Sequence, residues 1–340
     1  MNEETGEKLR RLRAVWFENN EVVMIDQRLL PGKVEFFRAR NTEDIAHAIK
    51  DMVVRGAPAI GIAAAWGLAL AKKNGEDMEE ATRIIGGTRP TAYDLFRAIK
   101  FMIANGFSLE AARRYQQEIT NRCRKIGEYG NELIPSQAQI LTHCNAGALA
   151  VTEWGTALAP LRIASQQGKQ IFVFVDETRP RLQGSRLTAW ELQNEGIPYA
   201  VIADNAAGHF MHTGQVNLAI VGADRIAANG DFANKIGTYE KAVVAHENGV
   251  AFYVAAPAST FDFTVSSGED IPIEERSEDE VLSLGGERLA PEKSRAKNPA
   301  FDVTPAKYVS AFITEYGIFK PSELKKLRAM IQKDLFMRED

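Results

Sequence analysis

From residue 137 onward the chain repeats one pattern, and that pattern limits the fold more tightly than any other feature. Five short runs rich in β-branched, aromatic and other apolar residues recur: "AQILTH", "IFVFVDE", "YAVIADN", "NLAIVGAD" and "AFYVAAP". Between them lie amphipathic helical stretches such as "LTAWELQNEG" and "KIGTYEKAVVAHENG", closed by glycine as helix C-termini often are. Near-continuous apolar strands alternating with helices make a parallel sheet covered on both faces. The predicted class is therefore α/β, with the parallel sheet in a C-terminal domain over residues 131–340. Residues 1–130 have another texture: one or two β segments in "AVWFENNEVVMIDQRLL", then helical patterns such as "NTEDIAHAIKDMVV" and "IAAAWGLALAKKN". They predict a mainly helical N-terminal domain, with Asn41 or Thr42 capping its first long helix.

In such sheets ligands bind beyond the carboxyl ends of the strands. The first run is followed by His143, Cys144 and Asn145, and the second by Asp176-Glu177-Thr178-Arg179-Pro180. Asp204-Asn205 follow the third and Asp224-Arg225 the fourth. Any strand end turns polar on reaching solvent, but four in succession on one rim predict a ligand site. Cys144 stands where a strand gives way to an alanine-rich segment that reads as helix, and a thiol at a helix N-terminus favours the thiolate. Asp224 follows an apolar strand, where partial desolvation would keep a carboxyl protonated as a general acid. Pairing with Arg225 or capping a turn is its plain alternative. Cys123, in a charged helical stretch, reads as structural.

The chain has neither a Walker loop nor GxGxxG, so phosphate handling must lie elsewhere. "VVRGAPAIGIAAA" offers the guanidinium fork of Arg55, a close backbone approach at Gly56 and the N–H groups of the following helix. Arg89 in "GGTRPTAYDLF" repeats the arginine-in-a-glycine-turn context, and Asn234-Lys235 read as donors opening the next helix. The five histidines have no metal-ligand spacing; His209 and His212 share a helix face but are only two. Neither metal nor cofactor is expected. A net charge of -4 gives no reason to expect nucleic acid as partner. The N-terminal segment lacks a signal-peptide core, and the longest run free of Asp, Glu, Lys, Arg and His, Gly56 to Ala71, falls short of the roughly 20 residues a membrane span needs. A cytoplasmic protein without membrane contact is expected.

The strings "RGAPAIG", "TRPTA", "THCNAG", "DETRPRLQGSRLTAWEL", "VGADRIAANGDFANKIGTY", "IPIEER" and "NPAFDVTP" closely resemble the methylthioribose-1-phosphate isomerase family of methionine salvage. The likeness runs from about residue 15 to residue 318. It implies a homodimer, a Rossmann-like C-terminal domain, and conversion of a small phosphorylated sugar, 5-methylthioribose 1-phosphate, into 5-methylthioribulose 1-phosphate without metal or nucleotide. Carried over by position, the catalytic cysteine falls on Cys144 and the catalytic aspartate on Asp224. Substrate-binding positions fall on Arg55, Gly56, Ala57, Arg89, Gln183, Asn234 and Lys235.

The anomeric oxygen of this substrate is esterified, so the ring opens only if a proton reaches the ring oxygen, the task expected of Asp224. Cys144 is then either the base at C2 or an orienting thiolate beside a hydride shift. The chain departs from the family pattern at Tyr93-Asp94, at Glu153-Trp154, at Ala206 and before "NPAFD", which bears on the pocket for the 5-substituent. Rival substrates are 5-deoxyribose 1-phosphate and ribose 1,5-bisphosphate. A rival of another class is a non-catalytic regulatory subunit of the translation-initiation exchange factor, which shares the fold. The glycine-rich "IIGGTRPTA" is a candidate hinge.

Overall fold

The computed structural model describes residues 12–89 and 93–336. Pro90, Thr91 and Ala92, the last three residues of the expected hinge 84–92, lie outside the described residues, as does most of the segment read against a signal peptide. Backbone proximity divides the chain into two compact units, Met1–Gly127 with Ala146–Arg162, and Glu128–Asn145 with Ile163–Asp340. The sequence division is a single cut after residue 130, whereas here residues 146–162 group with the N-terminal unit.

The first unit opens with an antiparallel meander of β1 (Val15–Glu18), β2 (Glu21–Ile25) and β3 (Phe36–Ala39), one strand more than the sequence suggests. Asn41 is the cap of the helix Thr42–Lys50, its side chain accepting from the backbone N–H of Asp44 at 2.8 Å. The helix Ala57–Asn74 is buried all round from Ala59 to Ala71, as its unbroken apolar sequence requires. Its small residues let neighbours close in: a Cβ on Gly67 would meet Ile45 at 2.8 Å. Cys123 is fully buried and packs with Ala150 and Val151, so its structural reading stands.

The second unit is built on a seven-stranded sheet. Its strands are β4 (Gln137–Thr142), β5 (Gln170–Asp176), β6 (Tyr199–Ile202), β7 (Leu218–Val221), β10 (Ala251–Ala255), β15 (Ala311–Thr314) and β16 (Gly317–Phe319), ordered β16-β15-β10-β7-β4-β5-β6. All neighbours are parallel except the edge pair β15 and β16. Every apolar run named from sequence is one of these strands. Ile140, Leu141, Val173, Val175, Ile220 and Val221 have no exposed surface, and each such side chain stabilises the fold by about 1.5–3 kcal/mol. The helices Leu158–Gln166, Ala189–Glu195, Ala207–His212 and Thr238–Glu247 lie between successive parallel strands. The order reverses direction between β4 and β7, which is where parallel sheets open a crevice.

Between β7 and β10 the chain forms β8 (Arg225–Ala227) and β9 (Phe232–Lys235). With β11 (Phe261–Asp262) and β14 (Phe301–Thr304) they make a small second sheet, ordered β11-β8-β9-β14. A short hairpin, β12 (Ser283–Leu284) with β13 (Glu287–Arg288), lies between β11 and β14 in the chain.

Candidate active site

Cys144 and Asp224 follow the two strands that flank the reversal. β4 and β7 are hydrogen-bonded neighbours, with Leu141 opposite Ala219. Cys144 lies three residues beyond Leu141 and Asp224 five beyond Ala219, so both come off the same rim of the sheet.

Cys144 does not begin a helix. The alanine-rich segment after it makes a single 3-10 turn, Ala148–Ala150, and regular helix resumes only at Leu158. Two glycines explain the departure: Gly155 has φ +74° and comes so close to Gly147 that a Cβ would sit 2.4 Å from it. The residue therefore owes nothing to a helix dipole. Instead Cys144 itself adopts φ +61°, the left-handed region that a non-glycine residue rarely occupies. Such a conformation costs on the order of 1–3 kcal/mol and persists only where the surroundings over-determine it. Here Thr178 Oγ1 accepts the Cys144 N–H at 2.9 Å and Thr188 Oγ1 donates to the Cys144 carbonyl at 2.6 Å.

The loop after β5 is held just as firmly. Both oxygens of Asp204, after β6, accept backbone N–H groups, from Thr178 at 2.7 Å and Arg179 at 2.6 Å. A π-type turn, Gly184–Thr188, leads into the next helix, and π turns gather at functional sites. A Cβ on Gly184 would lie 1.7 Å from the Asp176 carbonyl oxygen, so only glycine fits.

Beneath the rim is a buried cluster whose members lie too far apart along the chain to be grouped by any sequence pattern. His143 Nδ1 lies 2.9 Å from Asp176 Oδ2, and its Nε2 lies 2.8 Å from the Ile236 carbonyl. A carbonyl only accepts, so Nε2 carries a proton. Lys241 Nζ stands 3.7 Å from the same Asp176 oxygen and donates to Glu240 at 2.6 Å. Burial pushes the Asp176 carboxyl above its ordinary range, against the opposing pull of His143 and Lys241. Burial likewise raises Asp302, whose oxygens accept from Gly237 N–H at 2.7 Å and Tyr239 N–H at 3.1 Å. His143, Asp176 and Asp204 bring ligand atoms within 4.8 Å of one another. Both His143 nitrogens and both Asp204 oxygens are already engaged, while Asp176 Oδ1 is buried with no hydrogen-bond partner among the described residues. The Lys241 ammonium supplies the local cation, so the cluster reads as a charge network. His209 and His212 are exposed and outside it.

The remaining residues are placed as follows. Asp224 is exposed, so its strand end does not supply the desolvation its sequence context suggests, and its backbone N–H donates to the Ala233 carbonyl at 2.9 Å. Arg225 lies 3.7 Å from Asp262. Asn234 and Lys235 do not open a helix: they end β9, opposite Asp302 and Phe301 of β14. Asn234 donates to Thr238 at 3.0 Å, while Lys235 donates to the Ala300 carbonyl at 2.8 Å with its ammonium 4.3 Å from the Phe301 ring centre. Gln183 is only 8% exposed and its Oε1 is buried without a hydrogen-bond partner among the described residues.

In the first unit, Arg55 donates to Gln27 at 3.1 Å, and Gln27 donates to the Leu149 carbonyl at 2.7 Å. Gly56 has φ +94° and a Cβ there would lie 2.3 Å from the Ala150 carbonyl oxygen. Ala57 is the first residue of the helix whose N-terminus Gly56 caps. Arg89 is half-buried just beyond the helix Met78–Gly86. Of the positions that depart from the family pattern, Glu153 pairs with Arg13 at 2.7 Å and Trp154 packs against the Cys123 cluster.

The profile of the initiation factor 2 subunit family matches residues 53–321. The methylthioribose-1-phosphate isomerase of Acetivibrio thermocellus is 50% identical over 335 residues, covering 91% of this chain and 98% of that protein. The crystal structure of 5-methylthioribose 1-phosphate isomerase from Pyrococcus horikoshii superposes with a TM-score of 0.89 at 44% identity, covering 97% of this chain and 100% of that one. The structure of translation initiation factor eIF-2B, subunit delta, from A. fulgidus gives 0.83 at 42% identity, covering 92% and 97%.

Proposed function

The chain belongs to the initiation factor 2 subunit family and, within it, to the methylthioribose-1-phosphate isomerases; from that premise we propose that it converts 5-methylthioribose 1-phosphate into 5-methylthioribulose 1-phosphate. Asp224 delivers a proton to the ring oxygen, opening a ring whose anomeric position is blocked by phosphate. Because Asp224 is exposed before substrate arrives, the bound sugar itself supplies the desolvation that a general acid there requires. Cys144, as thiolate, removes the C2 proton, and the enolate-type intermediate is reprotonated at C1; in the alternative hydride shift the thiolate orients the sugar. Arg55, Gly56, Ala57, Arg89, Gln183, Asn234 and Lys235 bind the substrate.

The observation that carries these roles is the position of Cys144 and Asp224 beyond two neighbouring parallel strands at the reversal of strand order. Gly56 supports a phosphate role because, as the cap of the helix Ala57–Asn74, it puts no side-chain acceptor on the first N–H groups, which suit an oxyanion. The strand order β6-β5-β4-β7-β10-β15 supports reading the sheet as Rossmann-like. No helix of the described residues is long and apolar enough to cross a membrane. We infer a cytoplasmic homodimer.

The test is carbon NMR of the purified protein with 5-methylthioribose 1-phosphate, watching for the C2 ketone, alongside Cys144→Ala and Asp224→Asn. A ketone that both substitutions abolish supports the assignment. A ketone from 5-deoxyribose 1-phosphate alone moves the substrate and keeps the chemistry. Silence on both sugars from folded protein favours a regulatory role, which the likeness to the A. fulgidus factor keeps in view.

A further inference from the structure

We propose that Thr178 and Thr188 are positioning residues for Cys144, holding its peptide in the left-handed conformation from which the thiol addresses the substrate. The inference rests on the catalytic reading of Cys144. Both threonines are fully buried, so neither hydroxyl is offered to a ligand. Both are saturated in a definite sense. Thr178 Oγ1 donates to the Asp176 carbonyl at 3.0 Å, and so presents a lone pair to the Cys144 N–H at 2.9 Å. Thr188 Oγ1 donates to the Cys144 carbonyl at 2.6 Å and accepts from Asn145 Nδ2 at 3.1 Å, an amide that also donates to Glu191 at 2.9 Å.

The two hydroxyls therefore grip the two peptide groups on either side of one Cα. One reads the N–H before it and the other the C=O after it, and together they fix both dihedrals of Cys144. Thr178 is itself held at φ +65° by the Asp204 carboxylate, and Thr188 ends the π turn whose first residue, Gly184, lies against Asp176. Neither anchor turns freely. Without them Cys144 relaxes toward the right-handed or extended region, which swings Sγ away from its direction at the rim.

The experiment compares Thr→Val, Thr→Ala and Thr→Ser at each position in the full chain. It measures kcat and KM for 5-methylthioribose 1-phosphate, the unfolding midpoint, and the rate of Cys144 alkylation by iodoacetamide against pH, located by mass spectrometry. In whichever hydroxyl-free variant is folded, the expected result is kcat at least tenfold lower with KM within threefold. The alkylation profile is displaced, and serine restores kcat to within threefold. A folded valine or alanine protein with kcat within twofold of the parent overturns the proposal, as does a serine protein as impaired as the valine one. Cys144→Ala is run beside them. If it keeps full activity, the catalytic reading has failed; if it is dead while the folded threonine variants are unimpaired, only the positioning role has failed.

Discussion

His143 and Asp176 meet at 2.9 Å with neither side chain more than 1% exposed, and Lys241, equally buried, stands 3.7 Å from the same carboxylate oxygen. Three ionisable groups have been taken out of water together and meet at one carboxylate oxygen, Asp176 Oδ2, while its Oδ1 has no hydrogen-bond partner among the described residues. Removing one partner of such a set leaves a buried charge uncompensated, which costs about 3–5 kcal/mol.

Asp176→Asn is accordingly expected to destabilise the protein by about that much, since the Lys241 ammonium would face a neutral amide. Adding Lys241→Gln should recover part of the loss, because it removes a buried cation left with only the Glu240 carboxylate. A double-mutant cycle by urea unfolding measures this coupling. Additive losses would mean that the two groups do not interact.

Much of this architecture was legible in the sequence, because parallel strands buried on both faces must be nearly continuous runs of Val, Ile, Leu and Phe. All five runs became strands, and the polar residues after them came out on one rim. What escaped is informative. The segment after Cys144 has helix-forming alanines, yet Gly147 and Gly155 pack against each other and break it. Asn234-Lys235 precede a helix by only a few residues, but pairing with β14, some 65 residues away, extends β9 through them. The cluster of His143, Asp176 and Lys241 joins residues from three separate segments. Pairwise proximity of that kind has no one-dimensional signature, and neither does the grouping of residues 146–162 with the first unit.

Two glycines of the second unit look alike in sequence and should behave oppositely. A Cβ on Gly184 would lie 1.7 Å from a carbonyl oxygen, while one on Gly208, inside the helix Ala207–His212, would meet Val244 at an ordinary 3.5 Å. Gly184→Ala is expected to lower stability by at least about 3 kcal/mol, the upper end for overpacking. Gly208→Ala is expected to raise it by about 0.5–1 kcal/mol through helix propensity. Urea midpoints that moved in the same direction would contradict the packing described around Asp176.

Asp302 caps the helix Thr238–Glu247 with both carboxylate oxygens while burial raises its pKa above 3.8. For a carboxyl raised in the folded state, the linked stabilisation is complete below the unfolded value and is lost as pH rises through the folded one. The stability of the parent relative to Asp302→Asn should therefore be largest below pH 3.8 and shrink as pH rises from there through Asp302's raised folded value. Asp302→Ala, which loses the cap at every pH, should cost about 1–2 kcal/mol. Urea unfolding of the three proteins across that range tests the sign, and a difference that grew with pH would reverse it.

Gln183 offers the sharpest separation between binding and folding. Its Oε1 is buried and makes no hydrogen bond among the described residues, an arrangement that costs about 1–3 kcal/mol relative to a satisfied or apolar group. A residue kept there for stability alone would be better replaced by leucine, which has similar bulk and nothing to satisfy. Gln183→Leu should therefore unfold at the same or a higher urea concentration than the parent. If the amide is instead held in reserve for the sugar phosphate, the same substitution should raise KM by about 5- to 150-fold, the equivalent of 1–3 kcal/mol. Steady-state kinetics and urea unfolding on one preparation distinguish the cases. Lower stability with unchanged KM would make Gln183 a structural residue and remove it from the substrate site.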